Sequence, residues 1–247
     1  MKFLILFIMS IVSAQAVITI APVDIGAYPG LSGSVKGSFE TKRGNTDSDT
    51  YSAGTRLLYD NNKSYVAWTD VSFSYAKASG ATNTNKAYIH VRYIHTMYKK
   101  DLNWEAFMQY QTDKFTKIQK RILNGIGLRY HAKIQKYGSV YFGFGGLGEH
   151  IVYTSSIDPT EDNIRLNCYI AYKKDFSQSA NISYIGYYQP KINSFSDYIS
   201  SNSVQLKVKI YRQLSINFEI TYNQDTKPAI GVQKYDFAQK TSFIYDF

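Results

Sequence analysis

His150 and Asn124 come nearest, among the side chains of this 247-residue sequence, to an enzyme's working parts. Both fall on the apolar parity of alternating segments, near the same end of neighbouring strands. An imidazole and an amide placed so on an outer wall could serve the serine of a lipid hydrolase. The nucleophile is what is missing, because the outward neighbours of His150 are Gly148 and Val152, and Ser155 and Ser156 fall in a loop. No catalytic residue is assigned; the chain is read as a non-enzyme, with the lipid hydrolase kept as an alternative. Metal binding fails on geometry: His90 and His95 lie five apart on one strand, so they face opposite sides and cannot share an ion. No metal or cofactor is expected. The run Gly-Phe-Gly-Gly-Leu-Gly over 143–148 has the glycines of a phosphate loop but lies within an alternating strand, with no helix pattern after it. Phosphate cradling depends on that helix N-terminus. Glycines making room for large side chains inside a narrow barrel fit better.

The charged residues carry more order. Arg56, Asp70, His90, Arg92, Glu105, Arg121, Arg129, Glu149, Arg165, Lys207, Lys209 and Glu219, with Lys36 and Glu40, share the polar parity of their segments and are expected to line an interior. Antiparallel pairing brings opposite signs close: His90 and Arg56 near Asp70, Glu149 near Arg121, Glu219 near Lys207. Two readings follow. In one the interior is a passive pore for small solutes, with anionic solutes as partners because basic residues outnumber acids. In the other the same residues brace a closed structural barrel. Lys and Arg total 28 against 19 acids. These basic residues are scattered singly rather than clustered, which excludes a nucleic-acid patch.

These residues need a wall to stand on. Twelve alternating segments are readable, at about 31–43, 50–60, 65–77, 85–98, 103–112, 119–132, 139–153, 163–173, 180–190, 202–211, 214–224 and 234–247. Short polar connections alternate with mostly longer ones, including 78–84 and 191–201. The expected fold is therefore all-β: a single antiparallel transmembrane β-barrel of about 12 strands, with short periplasmic turns and longer extracellular loops. The outward parity places Tyr51, Tyr75, Tyr110, Tyr188, Tyr222 and Tyr235 at one end and Tyr59, Tyr65, Trp104, Tyr130, Tyr172, Tyr245 and Phe247 at the other. Two aromatic girdles flanking an apolar belt suit the two edges of a membrane, so lipid of the outer membrane is an expected partner.

Met1-Lys2, the apolar run Phe3–Val12 and Ser13-Ala14-Gln15-Ala16 read as a cleaved secretory signal peptide. Its removal leaves 27 basic residues against 19 acidic, a formal +8. The division expected is signal peptide 1–16, periplasmic N-terminal segment 17–30 and barrel 31–247, in the outer membrane of a Gram-negative bacterium. The last strand, ending Phe243, Tyr245 and Phe247, resembles the C-terminal signature of bacterial outer-membrane proteins, which implies recognition by the barrel-assembly machinery. Gly33, Gly37, Gly44-Asn45-Thr46, Asp113, Phe115, Arg121, Gly125, Gly127, Leu128 and Tyr130 carry a second likeness over most of the mature chain. It resembles a family of unknown function whose members are labelled salt-induced outer membrane proteins. That resemblance implies an outer-membrane barrel and supplies no substrate, cofactor or catalytic position.

Overall fold

A computed structural model describes residues 23–42, 48–78, 81–98, 101–114 and 116–247. The expected signal peptide lies outside the described residues. Twelve strands follow in chain order: β1 (Gly30–Lys42), β2 (Ser48–Asp60), β3 (Tyr65–Ala78), β4 (Ala81–Tyr98), β5 (Leu102–Asp113), β6 (Ile118–Ile134), β7 (Gly138–Tyr153), β8 (Glu161–Asp175), β9 (Ala180–Lys191), β10 (Ser194–Tyr211), β11 (Leu214–Asp225) and β12 (Tyr235–Asp246). Each pairs antiparallel with its sequence neighbours, and β1 pairs with β12, which closes the barrel. Closure leaves no free pair of sheet edges, the condition for a wall whose outer face is apolar. That face carries Leu31, Leu57, Val91, Met108, Ile126, Phe142, Ile164, Leu206, Phe218 and Phe243, all exposed.

Local chemistry sets the turns at the end where β1 begins and β12 finishes, called here the termini end. Between β2 and β3, the Asn61 side-chain oxygen accepts from the backbone N–H groups of Lys63, Ser64 and Tyr65, while Asp60 accepts from that of Asn62. Asn62 takes a positive φ of 60° there, a conformation asparagine tolerates. Between β10 and β11 the turn is as short as Arg212-Gln213.

Two expected loops are strand instead. β4 begins at Ala81 and β10 at Ser194, so most of 78–84 and 191–201 belongs to the wall. Ser194–Ser201 reads as loop because it is polar, yet its alternate residues Asp197, Ile199 and Ser201 are buried inside. Arg165 holds Asp197 at 3.1 Å and Lys191 holds it at 2.8 Å. A tertiary ion pair, rather than local hydrophobicity, extends the strand.

Residues 23–29, from the expected N-terminal segment, are seated in the termini-end mouth. Val23 packs with Leu58, Val66, Trp68 and Ile94, and Ile25 lies against that cluster. Arg129 donates to the Val23 carbonyl at 2.8 Å, Tyr141 donates to the Asp24 carboxylate at 2.7 Å, and the Gly26 N–H donates to Asp60 at 2.7 Å. The segment thus wedges across β2, β3, β4, β6 and β7.

Candidate functional site in the barrel interior

Parity places the side chains: along each strand the interior positions alternate with the outward ones, so one register decides a whole row. Arg56, Asp70, His90, Arg92, Glu105, Arg121, Arg129, Glu149, Arg165, Lys207, Lys209 and Glu219 all occupy interior-facing positions. Their partners differ in part from expectation. Arg56 meets Asp70 at 2.6 Å and Arg121 meets Glu149 at 2.6 Å, as the pairing implies. His90 sits opposite Asp70 in register, but both its ring nitrogens lack a hydrogen-bond partner. Lys207 does not reach Glu219. It pairs with Asp246 at 2.6 Å, and Glu219 pairs with Lys36 at 3.1 Å, because Glu219 stands opposite Gln205, two residues from Lys207.

These ion pairs fall into two environments. Around β4 to β8 they are dry: side-chain exposure is 3% for Arg121 and 2% for Glu149, 5% for Arg165, and 7% for Arg92 against 2% for Glu105. Around β10 to β3 they are wet: 30% for Lys36, 27% for Arg56, 29% for Lys207 and 45% for Asp246. Glu149 is the hub of the dry group, accepting from Arg121 Nε at 2.7 Å, Arg165 Nε at 2.7 Å and Asn163 at 3.0 Å.

Bulk explains the division. Large rings enter from β3 to β9: Trp68, Tyr88, Phe107, Tyr141, Tyr169 and Tyr187 are all buried. The Arg92 guanidinium lies over Phe107 at 5.2 Å and Tyr169 at 5.9 Å, and donates to Tyr187 at 3.5 Å, while Tyr169 donates to Glu105 at 3.0 Å. The opposite wall presents only small side chains at Ser32, Ser34, Ser38, Ser52, Gly54, Ser72 and Ser74. Contacts cross both mouths of the packed half. The wedge of residues 23–29 crosses one. At the other, Lys117 donates to the Ile230 carbonyl at 2.6 Å and the Ile230 N–H donates to Asp158 at 2.9 Å.

The interior tyrosines and the wedge were not among the expected site residues. Parity alone could have flagged the rings, since Tyr88, Tyr141, Tyr169 and Tyr187 alternate in step with His90, Gly143, Arg165 and Gln189. Nothing in residues 23–29 signals a docking role, because Asp24 acquires its meaning from Arg129, His131 and Tyr141 more than a hundred residues away.

The family model described as a protein of unknown function, DUF481, matches residues 35–247. The chain belongs to the DUF481 family. No curated protein matches it in sequence. Solved structures similar to this DUF481 barrel include the COG4313 outer membrane channel from Pseudomonas putida F1, at TM-score 0.60 and 10% identity, covering 93% of this chain and 100% of that one. The NanC porin gives TM-score 0.49 at 10% identity, covering 87% of this chain and 97% of that one. The translocator domain of autotransporter NalP from Neisseria meningitidis gives TM-score 0.48 at 8% identity, covering 89% and 88%. At such identity the likeness concerns the fold, which is that of outer-membrane β-barrels.

On the outer wall of this DUF481 barrel, the Asp162 carboxylate accepts a hydrogen bond from His150 Nδ1 at 2.8 Å, and Asn124 stands nearby opposite Gly148. No serine hydroxyl is hydrogen-bonded to His150 among the described residues; Ser155 is engaged with the Ile157 N–H. His90 is interior and His95 is outward, stacked on Trp104. Among the described residues no group of three or more His, Cys, Asp or Glu is placed to hold a metal. The expected girdle residues project outward. Tyr59, Tyr65 and Trp104 join Tyr93 in one ring-to-ring chain at the termini end, with centroids 5.3 to 6.0 Å apart. Tyr172 donates to the Tyr137 carbonyl at 2.6 Å.

The glycine run divides by parity as well. A Cβ on Gly143 would enter the Tyr169 ring and one on Gly125 would enter the Phe107 ring, whereas Gly148 faces open space. Gly143→Ala is therefore expected to cost about 1–3 kcal/mol through overpacking. Gly148→Ala is expected to cost well under that. Urea unfolding in detergent, followed by tryptophan fluorescence, checks the contrast.

Proposed function

We propose that the chain is an outer-membrane barrel that conducts small solutes passively along an eccentric strip, walled by β10, β11, β12, β1, β2 and β3. The observation that carries this reading is the split in hydration. The ion-paired cations Lys36, Arg56 and Lys207 of that strip are reached by water, while Arg92, Arg121 and Arg165 of β4, β6 and β8 are sealed. On this reading the termini end faces the periplasm, the aromatic girdles meet the two membrane edges, and the last strand is read by the barrel-assembly machinery. The porin and channel folds among its structural neighbours support the reading. The likeness to salt-induced outer membrane proteins adds an expectation about expression, that transcript rises with external salt, read across a salt series.

Selectivity follows from the strip rather than from the whole interior. Among the described residues its strands turn Lys36, Arg56, Lys207, Lys209 and Lys240 inward against Asp60, Asp70, Glu219, Asp225, Asp236 and Asp246. These charges nearly balance, so any preference for anions is weak and rests on the water-exposed cations Lys36, Arg56 and Lys207. Single-channel recording in a planar bilayer under a salt gradient tests both points. A sealed membrane rejects the pore; a reversal potential leaning to cations rejects the anion preference alone. Lys36→Glu is expected to move the reversal potential toward cations, because it places a second carboxylate beside Glu219 in water-filled space. Arg121→Glu is expected to leave selectivity where it is and to lower the folded yield instead, because Arg121 is out of contact with the strip.

A further inference from the structure

Three of the turns at the termini end set a cation against an exposed ring. Lys136 Nζ stands 5.3 Å from the centre of the Tyr137 ring, Lys174 Nζ 5.6 Å from that of Phe176, and the Arg212 guanidinium 5.1 Å from that of Tyr211. The other cation–ring contacts among the described residues, those of Arg92 and Arg129, are interior. A basic side chain that lays its stem along a ring and keeps its charged head in water suits the edge of a membrane, where the ring sits at headgroup level. The first two pairs are neighbours. β7 and β8 pair as far as Ser139–Lys173, so the turn that carries Lys136 and Tyr137 adjoins the end of β8. A Cβ on Gly138 would stand 3.2 Å from both the Lys174 Cβ and the Tyr172 ring, and the Tyr172 hydroxyl is fixed on the Tyr137 carbonyl at 2.6 Å. Lys174 shares the outward parity of Tyr172. The acid beside it, Asp175, is on the other parity and lies 3.9 Å from Lys173. Lys136 and Lys174 make no ion pair among the described residues.

We propose that Lys136 and Lys174, with the rings of Tyr137, Tyr172 and Phe176, form a site on the barrel rim for an anionic phospholipid. The two ammonium groups hold its phosphodiester head, and its acyl chains lie on the outer wall of β7 and β8, where Phe142 and Ile170 are exposed. The proposal rests on the reading that the termini end meets a membrane edge. Charge decides the lipid class: two cations with no acid of their own favour a head of net negative charge such as phosphatidylglycerol, whereas a zwitterionic head brings its own ammonium against them. The Tyr172–Tyr137 bond holds the rings in place before a lipid arrives, so less ordering is needed on binding. Arg212 and Tyr211, two strands further round the rim, offer the same chemistry with one cation instead of two.

Native mass spectrometry of the folded barrel, released from neutral detergent in the presence of equal amounts of phosphatidylglycerol and phosphatidylethanolamine of matched chains, tests it. Gel mobility before and after boiling first verifies that each variant is folded. The native chain is expected to carry phosphatidylglycerol as its first bound lipid. A cation beside an anionic headgroup changes binding about fivefold, so Lys136→Gln with Lys174→Gln is expected to lower the preference on the order of 25-fold. Lys136→Arg with Lys174→Arg is expected to keep it, since the charges remain. Lys227→Gln with Lys234→Gln, which removes two exposed lysines from the β11–β12 loop at the other end, is expected to leave it unchanged. Equal binding of the two lipids by the native chain overturns the site, as does an undiminished preference in the Lys136→Gln, Lys174→Gln protein. An equal loss in the loop variant also overturns it, because net charge rather than the rim would then be responsible. Displacement of the lipid by millimolar inorganic phosphate overturns the lipid assignment. The measurement reads no conductance, so its failure leaves the pore standing, and a barrel that seals a bilayer yet selects phosphatidylglycerol leaves this site standing.

Discussion

Glu149→Ala is expected to cost about 3–5 kcal/mol, the effect of leaving a buried charge without its partner. Two guanidiniums depend on this one carboxylate, Arg121 at 2.6 Å and Arg165 at 2.7 Å. Arg165 keeps Asp197 at 3.1 Å, but Arg121 is left with no acidic partner among its described ion pairs. Water does not reach it in the folded barrel, because its side chain is 3% exposed. Glu149→Gln is expected to recover part of the loss by retaining an oxygen acceptor. Lys207→Ala, which breaks a pair that water already screens, is expected to cost under about 1 kcal/mol. Urea unfolding in detergent, with gel mobility before and after boiling as the measure of folded barrel, reads all three. Equal losses for Glu149→Ala and Lys207→Ala would refute the division into dry and wet halves.

Asp24→Ala is expected to release the wedge. The Asp24 carboxylate accepts from Tyr141 at 2.7 Å and lies 3.3 Å from Arg129, and hydrogen bonds to charged groups contribute about 1.5–3 kcal/mol each. Its loss leaves the Val23 cluster and the Asp60 contacts to hold the segment. Two readouts separate this from a general loss of stability. Proteolysis near residues 23–29 is expected to rise sharply in Asp24→Ala while the barrel band on a gel survives. Conductance is expected to change little, because the described contacts of residues 23–29 fall on β2, β3, β4, β6 and β7 and none on the strands that carry Lys207 and Asp246. A large rise in conductance would show instead that the segment stoppers the solute route.

Much of this architecture is written in parity. A period of two, repeated twelve times with turn residues between, specifies antiparallel strands with one apolar face, and a chain with so little else to bury that face must close on itself. The family motif lies on the same pattern, with Gly125 and Gly127 on the interior side of β6. Asp197 shows where parity stops being enough. Its segment is polar enough to read as loop, and its strand exists because Arg165 and Lys191 arrive from β8 and β9.

The sequence by itself determined which residues face inward, since alternation is a property of the chain alone. Only the tertiary structure decided which inward residues water reaches. Arg121 and Lys36 are alike in parity and charge, yet one is sealed and the other hydrated. The difference lies in what stands across the barrel: rings from β3 to β9 on one side, serines and a glycine on the other. Closing the sheet at one particular register brings those distant rows to the same level, and no local pattern carries that information.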